Sequence, residues 1–376
     1  MSFPILQFGT SRFLQAHVDL FVSEALAQGE ALGGIAVVQT TTNLQSAERV
    51  AALNRGEPYP VRVRGLKDGV SIDETRWCGA VHAAWQAHAD WPRVREAAVA
   101  AQVFVSNTGD QGYRLDARDD AGLLADEAEV PMSFPAKLLV LLHTRWELNP
   151  EAPLSLLPCE LIARNGDTLR ELVVEIATQW RAPSGFIGWL REHCLWANSL
   201  VDRIVSEALH PIGAVAEPYA LWAVERQPGL TLPCRHPAIV LTDDLVSFEQ
   251  LKLYLLNLGH TFLAERWLQS QRVADETVLR AMNDPSQRDE LESVWAEEVL
   301  PVFDAMGRGA AAHQYLAALR ERFCNPFLAH RIADIAQNHA QKKQRRFAPV
   351  VALAEQYQLP IAQRRLRAAL ADSPAS

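Results

Sequence analysis

The first forty residues constrain the fold more than any other stretch. The apolar run Phe3 to Phe8 passes through Gly9-Thr-Ser-Arg-Phe-Leu-Gln-Ala-His17 into an amphipathic stretch ending at Ala27, and a second apolar run, Ile35 to Val38, follows at the spacing of a βαβ unit. Strand, glycine turn, helix and strand in that order call for parallel pairing, with both faces of the sheet covered. Gln102 to Ser106 adds a strand after the helical Trp91 to Ala101. An α/β fold with a doubly wound, mostly parallel sheet is therefore expected.

Between those strands, Pro60 to Arg64 and Val70 to Trp77 alternate polar and apolar residues around Gly65 and Asp68-Gly69, the pattern of an inserted β-hairpin. Leu154 to Leu157 and Ala238 to Leu241 read as two more buried strands. From about Phe248 the pattern turns to helix after helix, with spans near Glu249 to Gln269, Asp289 to Met306, Ala310 to Arg322, Pro326 to Ala340 and Pro349 to Gln356. The expected organisation is an α/β domain over 1–245 and a mainly helical domain over 246–376, with the cleft between them. The length of 376 residues suits two such domains.

Charge and cysteine content narrow the function. Lys and Arg number 36 against 45 Asp and Glu, a net charge of -9 that disfavours nucleic acid and anionic membranes as partners. The five cysteines show no CxxC or CxxH spacing, so neither a disulfide scaffold nor a metal site is expected. The N-terminus has no basic n-region, and no run approaches the ~20 apolar residues of a membrane span. The expectation is a cytoplasmic protein, monomeric or homodimeric, acting on a small molecule.

Polar residues in apolar context mark the candidate sites. Gly9-Thr-Ser11 with Phe13 is a reduced form of the GxGxxG turn that presents backbone N–H groups to a pyrophosphate; alone, it serves an ordinary strand-to-helix turn as well. Ser106-Asn-Thr-Gly-Asp-Gln-Gly112 ends another strand in small polar residues at the same carboxyl edge, where α/β folds place ligands. The segment Phe248 to Phe262 is apolar nearly all round its axis and must be buried, yet it carries Lys252, Asn257 and His260. On an α-helix Asn257 lies roughly 140° and His260 roughly 80° from Lys252, so the three share one side. Burial would depress the lysine toward a general acid/base range, while the amide and imidazole could donate to an oxygen gaining charge. A snorkelling lysine with a satisfied core Asn and His is the alternative. Glu249, one turn before Lys252, is placed to relay its proton to solvent. Asn165-Gly166 reads as a plain turn, Asp202-Arg203 as a structural ion pair, and Gln341 to Arg346 as a solvated basic face or a counter-charge for an anionic substrate.

These pieces occur in one order in a known family. Ile5 to His17, Val105 to Thr108, Ser133 to Leu138, Leu157 to Leu161 with Asn165 to Leu172, Ser199 to Val205, Leu251 to Thr261 and Arg322 to Pro326 resemble the polyol-specific long-chain dehydrogenases, or mannitol dehydrogenase family, and within it the tagaturonate reductases (altronate oxidoreductases). The resemblance implies a metal-independent, nicotinamide-linked oxidoreductase with an N-terminal Rossmann-type domain. It implies Lys252 as the acid/base, Asn257 and His260 as groups that orient and polarise the substrate oxygen, and Asn165 as a further holder of that oxygen. The cofactor set it implies is Phe8, Gly9, Ser11, Arg12, Phe13, Gln39, Asn107 and Thr108. Arg322, His330, Lys342 and Arg346 are candidates for the sugar-acid end of the substrate, because a carboxylate wants cationic partners.

Gln39-Thr-Thr-Thr-Asn43 offers neither an acidic residue for a ribose 2′-hydroxyl nor an arginine for a 2′-phosphate. NAD is the expected cofactor, with NADP left open. The expected substrate pair is a keto-hexuronate and its aldonate, of the tagaturonate/altronate or fructuronate/mannonate type. A mannitol or mannitol-1-phosphate dehydrogenase is the alternative within the class, and a non-catalytic dinucleotide sensor is the alternative outside it.

Overall fold

A computed structural model describes residues 3–109, 112–270 and 272–371. Among these residues thirteen strands run in chain order: β1 (Ile5–Phe8), β2 (Ile35–Gln39), β3 (Tyr59–Lys67), β4 (Val70–Cys78), β5 (Val81–Gln86), β6 (Val103–Ser106), β7 (Leu154–Pro158), β8 (Cys194–Trp196), β9 (Ser199–Asp202), β10 (Val205–Ala208), β11 (Ala214–Ala216), β12 (Leu221–Glu225) and β13 (Ile239–Thr242). Six form a parallel sheet in the order β5-β2-β1-β6-β7-β8. The order reverses between β1 and β6, which opens a crevice at their carboxyl ends. Every residue of β1, β2, β6 and β7 is buried, as a sheet covered on both faces requires.

Cα packing divides the chain into two compact units. The first takes residues up to Arg62, Glu74–Ala216 and Ala220–Leu245; the second takes Val63–Asp73, Glu217–Tyr219 and Val246 onward. The core of the first unit packs Leu6, Phe8, Val38, Phe104, Leu138, Leu156 and Trp196 under the helices Ala87–Ala100, Phe134–Leu148 and Asn165–Gln179. Arg145, fully buried, donates to the carbonyls of Ala98, Val99 and Ala101 and to those of Ala152 and Pro153. One guanidinium thereby satisfies carbonyls that the end of a helix leaves open.

The second unit is helical, around Leu255, Leu258, Phe262, Trp295, Phe303, Leu319 and Phe323. The hairpin tip at Asp68 (φ 52°) and Gly69 (φ 75°) joins it through backbone N–H donors to the Glu321 carboxylate, at 3.1 and 2.7 Å. Among the described residues no helix is long and apolar enough to cross a membrane.

Three sequence expectations change. Ala238 to Leu241 was expected as a buried strand, but β13 is half-buried along its length because it is the edge of the sheet β13-β12-β9. The helix expected over Pro326 to Ala340 is interrupted: Val278 N donates to His330 O, only Ile332–Ile335 is helical, and Asn338 at φ 54° turns the chain into a separate helix, His339–Arg346. Asn165-Gly166 is not a plain turn, for it opens the helix Asn165–Gln179. A Cβ on Gly166 would lie 2.5 Å from the Ala197 carbonyl, so only glycine allows that approach.

Candidate active site

At the carboxyl edge of the parallel sheet, a cavity of about 250 Å³ is lined by Gly9, Thr10, Ser11, Gln39, Thr40, Thr41, Asn43, Ser46, Arg49, Asn107, Thr108 and Gly109. Gly9 at φ 116° is required there, since a Cβ would meet the Asn107 carbonyl oxygen at 2.6 Å. Ser11, standing where a second glycine is common, ties the turn together: its Oγ accepts from Leu14 N at 3.2 Å and donates to Asn107 Oδ1 at 3.1 Å.

Asn107 Nδ2 in turn donates to the Cys159 carbonyl. Gln39 Nε2 donates to Asn43 O at 3.1 Å, while its buried Oε1 has no partner. Sequence reasoning gave no role to Glu160, which organises this rim. Its carboxylate accepts from Ser106 Oγ, Thr108 N and Thr108 Oγ1, each at 3.0 Å, and from Tyr113 OH at 3.2 Å; burial raises its pKa despite those donors.

Of the eight residues expected around a dinucleotide, Gly9, Ser11, Gln39, Asn107 and Thr108 line this one cavity. Phe8 does not, because its ring is 1% exposed and packs against Phe104 and Phe134, each at 5.5 Å between centroids. Arg12 is exposed on the short helix Arg12–Gln15, and Phe13 stacks on His17 at 4.7 Å. Neither belongs to the lining.

Asn165 also departs from the role implied for it. Its Nδ2 donates to the carbonyls of Pro158, Glu160 and Ser199 at 3.0–3.1 Å, and its Oδ1 accepts from Gly166 N and Ser199 N, both at 2.9 Å. An amide has two donors and two acceptor positions, and all four are in use. The side chain is a staple joining the end of β7 to β9. Asp202-Arg203 is likewise structural: both residues are buried, and the Arg203 guanidinium donates to the Ala16 carbonyl.

In the second unit the segment bearing Lys252 is not α-helical throughout. An α-helix over Leu245–Leu251 runs into a π-helical stretch, Lys252–Asn257, and resumes as α over Leu258–Gln269. Hydrogen bonds from i to i+5 put more residues in each turn, so the angular offset between Lys252 and Asn257 is smaller than an α-helical wheel gives. A second π stretch, Val294–Val299, carries Trp295, whose Nε1 donates to the Leu255 carbonyl at 3.3 Å. Gly259 admits that indole, because a Cβ there would lie 2.6 Å from Trp295 Cζ2.

Lys252 and Asn257 are half-buried, as is Glu249 in the preceding α-helical turn, and His260 is buried. His260 stacks on Phe323 at 4.4 Å and 16° and meets the edge of His330 at 4.7 Å. Burial first, and then the positive charges of His330, Arg322, Arg346 and Lys342, hold it well below its ordinary pKa. The four residues expected at the anionic end of a substrate are thus the groups whose charge His260 feels. Among the described residues neither the His260 ring nitrogens nor the Asn257 side-chain amide has a hydrogen-bond partner.

The four differ in what holds them. Arg322 is committed to a buried ion pair, Nε and Nη2 donating to Glu217 at 2.9 and 2.8 Å, with its guanidinium 4.3 Å from the Tyr219 ring centroid. Lys342 Nζ donates to the Ile335 carbonyl at 2.7 Å. Arg346 Nη1 donates to Asn257 O at 3.2 Å and Thr261 Oγ1 at 2.7 Å, and burial lowers its pKa to about 10, where it stays charged. His330 Nδ1 is buried without a partner. The basic run is therefore not a uniform solvated face: Lys342, Lys343 and Arg346 are drawn inward, and Lys343 pairs with Glu265 at 3.0 Å.

Residues 4–232 match the family model of the mannitol dehydrogenase Rossmann domain, and residues 244–371 match that of the mannitol dehydrogenase C-terminal domain. The chain belongs to the mannitol dehydrogenase family. It is a dehydrogenase acting on the CH–OH group of a polyol or sugar acid, and its parallel sheet is the family's Rossmann-type sheet. Altronate oxidoreductase of Bacillus subtilis is 30% identical over 373 residues, covering 92% of this chain and 74% of that enzyme. Its counterpart from Halalkalibacterium halodurans is 29% identical over 367 residues, covering 92% and 69%. Two solved structures of mannitol dehydrogenase-like fold superpose well. D-sorbitol dehydrogenase in substrate-free form gives a TM-score of 0.82 at 21% identity, over 98% of this chain and 80% of that one. Mannitol 2-dehydrogenase of Pseudomonas fluorescens, in ternary complex with NAD and D-mannitol, gives 0.74 at 18% identity, over 99% and 79%.

Proposed function

We propose that this family member interconverts a keto-hexuronate and its aldonate, of the tagaturonate/altronate or fructuronate/mannonate type, using NAD(H). The observation that carries the reading is the company His260 keeps. A neutral imidazole and an unpartnered amide are grouped with cations that no described carboxylate neutralises at Lys342 or Arg346. An uncharged polyol offers such cations hydroxyl acceptors but no counter-charge, whereas a sugar carboxylate supplies one. The altronate oxidoreductase relatives support the same substrate class.

The sheet-edge cavity fits a dinucleotide. Gly9 leaves room for close backbone approach, and the unpartnered Gln39 Oε1 offers an acceptor for a ribose hydroxyl at the end of β2. The hydride chemistry is that of bound NAD(H), at nicotinamide C4. In reduction the Lys252 ammonium donates a proton to the substrate oxygen as negative charge develops there; in oxidation the amine takes it back. The Asn257 amide and the His260 N–H donate hydrogen bonds to that oxygen. Held well below its usual pKa, His260 polarises the oxygen without competing with Lys252 for the proton. His330, Lys342 and Arg346 hold the carboxylate; Arg322 is set aside as a direct ligand because Glu217 occupies its fork.

The test is the loss of NADH absorbance when the purified protein meets keto-uronates, ketoses and ketose phosphates, with Lys252→Ala in parallel. Turnover of tagaturonate or fructuronate that vanishes in the variant is expected. Turnover of mannitol, fructose or their phosphates alone would move the substrate to the alternative and keep the proton donor. Tight dinucleotide binding with no turnover on any of these would make the protein a sensor.

A further inference from the structure

The sheet-edge cavity contains a charge that hydride transfer from NADH does not need. Arg49, in the helix Leu44–Leu53, lies in the lining, where its Nη1 donates to Thr10 O and Thr10 Oγ1, both at 3.3 Å, and to Ser46 Oγ at 3.4 Å. All three acceptors are uncharged, and among the described residues Arg49 makes no ion pair. Nor does any described residue lining the cavity carry a carboxylate. The second observation is Gln39, 1% exposed at the end of β2, whose Nε2 is fixed on the Asn43 carbonyl while its Oε1 lacks a partner.

Both residues line the same cavity at the end of β2. In dinucleotide-binding folds a carboxylate at this strand end holds the adenosine ribose 2′-hydroxyl, and the same negative charge would repel a 2′-phosphate; an arginine nearby accommodates the phosphate instead. Here the strand ends in a neutral amide, and a guanidinium that makes no ion pair among the described residues stands in the same cavity. Residues 39–43 alone contain no basic group, so this arginine is missed unless the following helix is folded back onto the turn.

We propose that this cavity binds NADP(H) as well as NAD(H), with Arg49 reading the 2′-phosphate. The inference rests on the dinucleotide reading given above, so its test measures binding with no sugar present. Calorimetry on the full chain would compare 5′-AMP, adenosine 2′,5′-bisphosphate, NADH and NADPH. The bisphosphate is expected to bind more tightly than 5′-AMP, and NADPH within about tenfold of NADH. Loss of one charge-assisted contact in Arg49→Gln should weaken NADPH about 10- to 100-fold and NADH at least fivefold less, so the ratio of the two affinities is the readout.

Arg49→Lys, which keeps the charge, should retain part of the NADPH affinity. Gln39→Asp should lower NADPH binding without touching Arg49, and guards against a misfolded Arg49 variant. Equal or tighter binding of 5′-AMP by the unaltered protein would overturn the inference and leave the dinucleotide reading standing. Parallel losses of NADH and NADPH in Arg49→Gln would also overturn it, marking a pyrophosphate contact. Failure of both dinucleotides to bind would sink the underlying reading, and the inference with it.

Discussion

Two asparagines, one in each unit, show how differently the molecule treats the same side chain. Asn165 is 1% exposed, and five backbone groups use its amide completely. Asn257, at the end of a π turn, is half-buried with its side-chain amide unpartnered among the described residues. Around Asn165 the chain is irregular, running from strand end through an αL residue, Arg164, into a helix start, and its loose N–H and C=O groups recruit the amide. Around Asn257 the helix satisfies its own backbone, so the side chain stays available. A half-buried amide that its own fold leaves unpartnered is open to solvent or to a ligand.

The sharpest way to break that contrast begins with the lysine on the same π turn. Lys252→Ala should lower kcat about 10²- to 10⁴-fold while NADH affinity, read by fluorescence titration, changes little; a comparable loss of NADH binding would mean that the lysine supports structure rather than the proton step. The asparagine pair comes next. Asn257→Ala is expected to cut kcat about 10²- to 10³-fold at an unchanged urea midpoint. Asn165→Ala should instead destabilise by about 3 kcal/mol, because several buried backbone groups lose their partners. Reversed outcomes for the two variants would end the distinction between staple and donor.

Smaller effects test the charges around His260. The double variant Lys342→Gln/Arg346→Gln should raise KM for a sugar acid about 10- to 100-fold and alter an uncharged polyol by no more than about twofold. Equal effects on both substrates would remove the carboxylate from this cluster. The smallest change is in stability against pH. His260 is held well below 6.5 in the folded state, so below about pH 6.5 the unfolded chain binds a proton that the folded protein refuses. This contribution is complete above that pH and is lost progressively as pH falls below it. Urea midpoints at pH 7.5 and 5 should therefore differ less in His260→Gln than in the unaltered protein; an unchanged difference would show that His260 does not titrate in this way.

Legibility in the sequence followed burial. β1, β2, β6 and β7 were readable because a parallel sheet covered on both faces demands unbroken apolar runs. The helix carrying Lys252 was readable for the same reason, since three polar residues stand out in an otherwise apolar segment. β8 to β12 are three to five residues long and gave no period to detect. The helix expected over Pro326 to Ala340 failed because residues 330 and 331 are held extended by Val278 N and Thr277, partners about fifty positions away. Arg322 was expected at the sugar-acid end of the substrate, but its partner Glu217 is 105 positions distant and gave no local sign of the ion pair.

The sequence by itself determined which residues are candidates for chemistry, because a lysine, an amide and an imidazole at fixed spacing stand out in an otherwise apolar helix. Tertiary structure alone decided which partners the candidate residues meet. It replaced the α-helical register at Lys252–Asn257 with a π turn, saturated Asn165, paired Arg322 and brought Arg49 into the sheet-edge cavity. The physical reason is that hydrogen-bond satisfaction and charge neutralisation depend on partners distant in the chain, whereas hydrophobic periodicity is written locally.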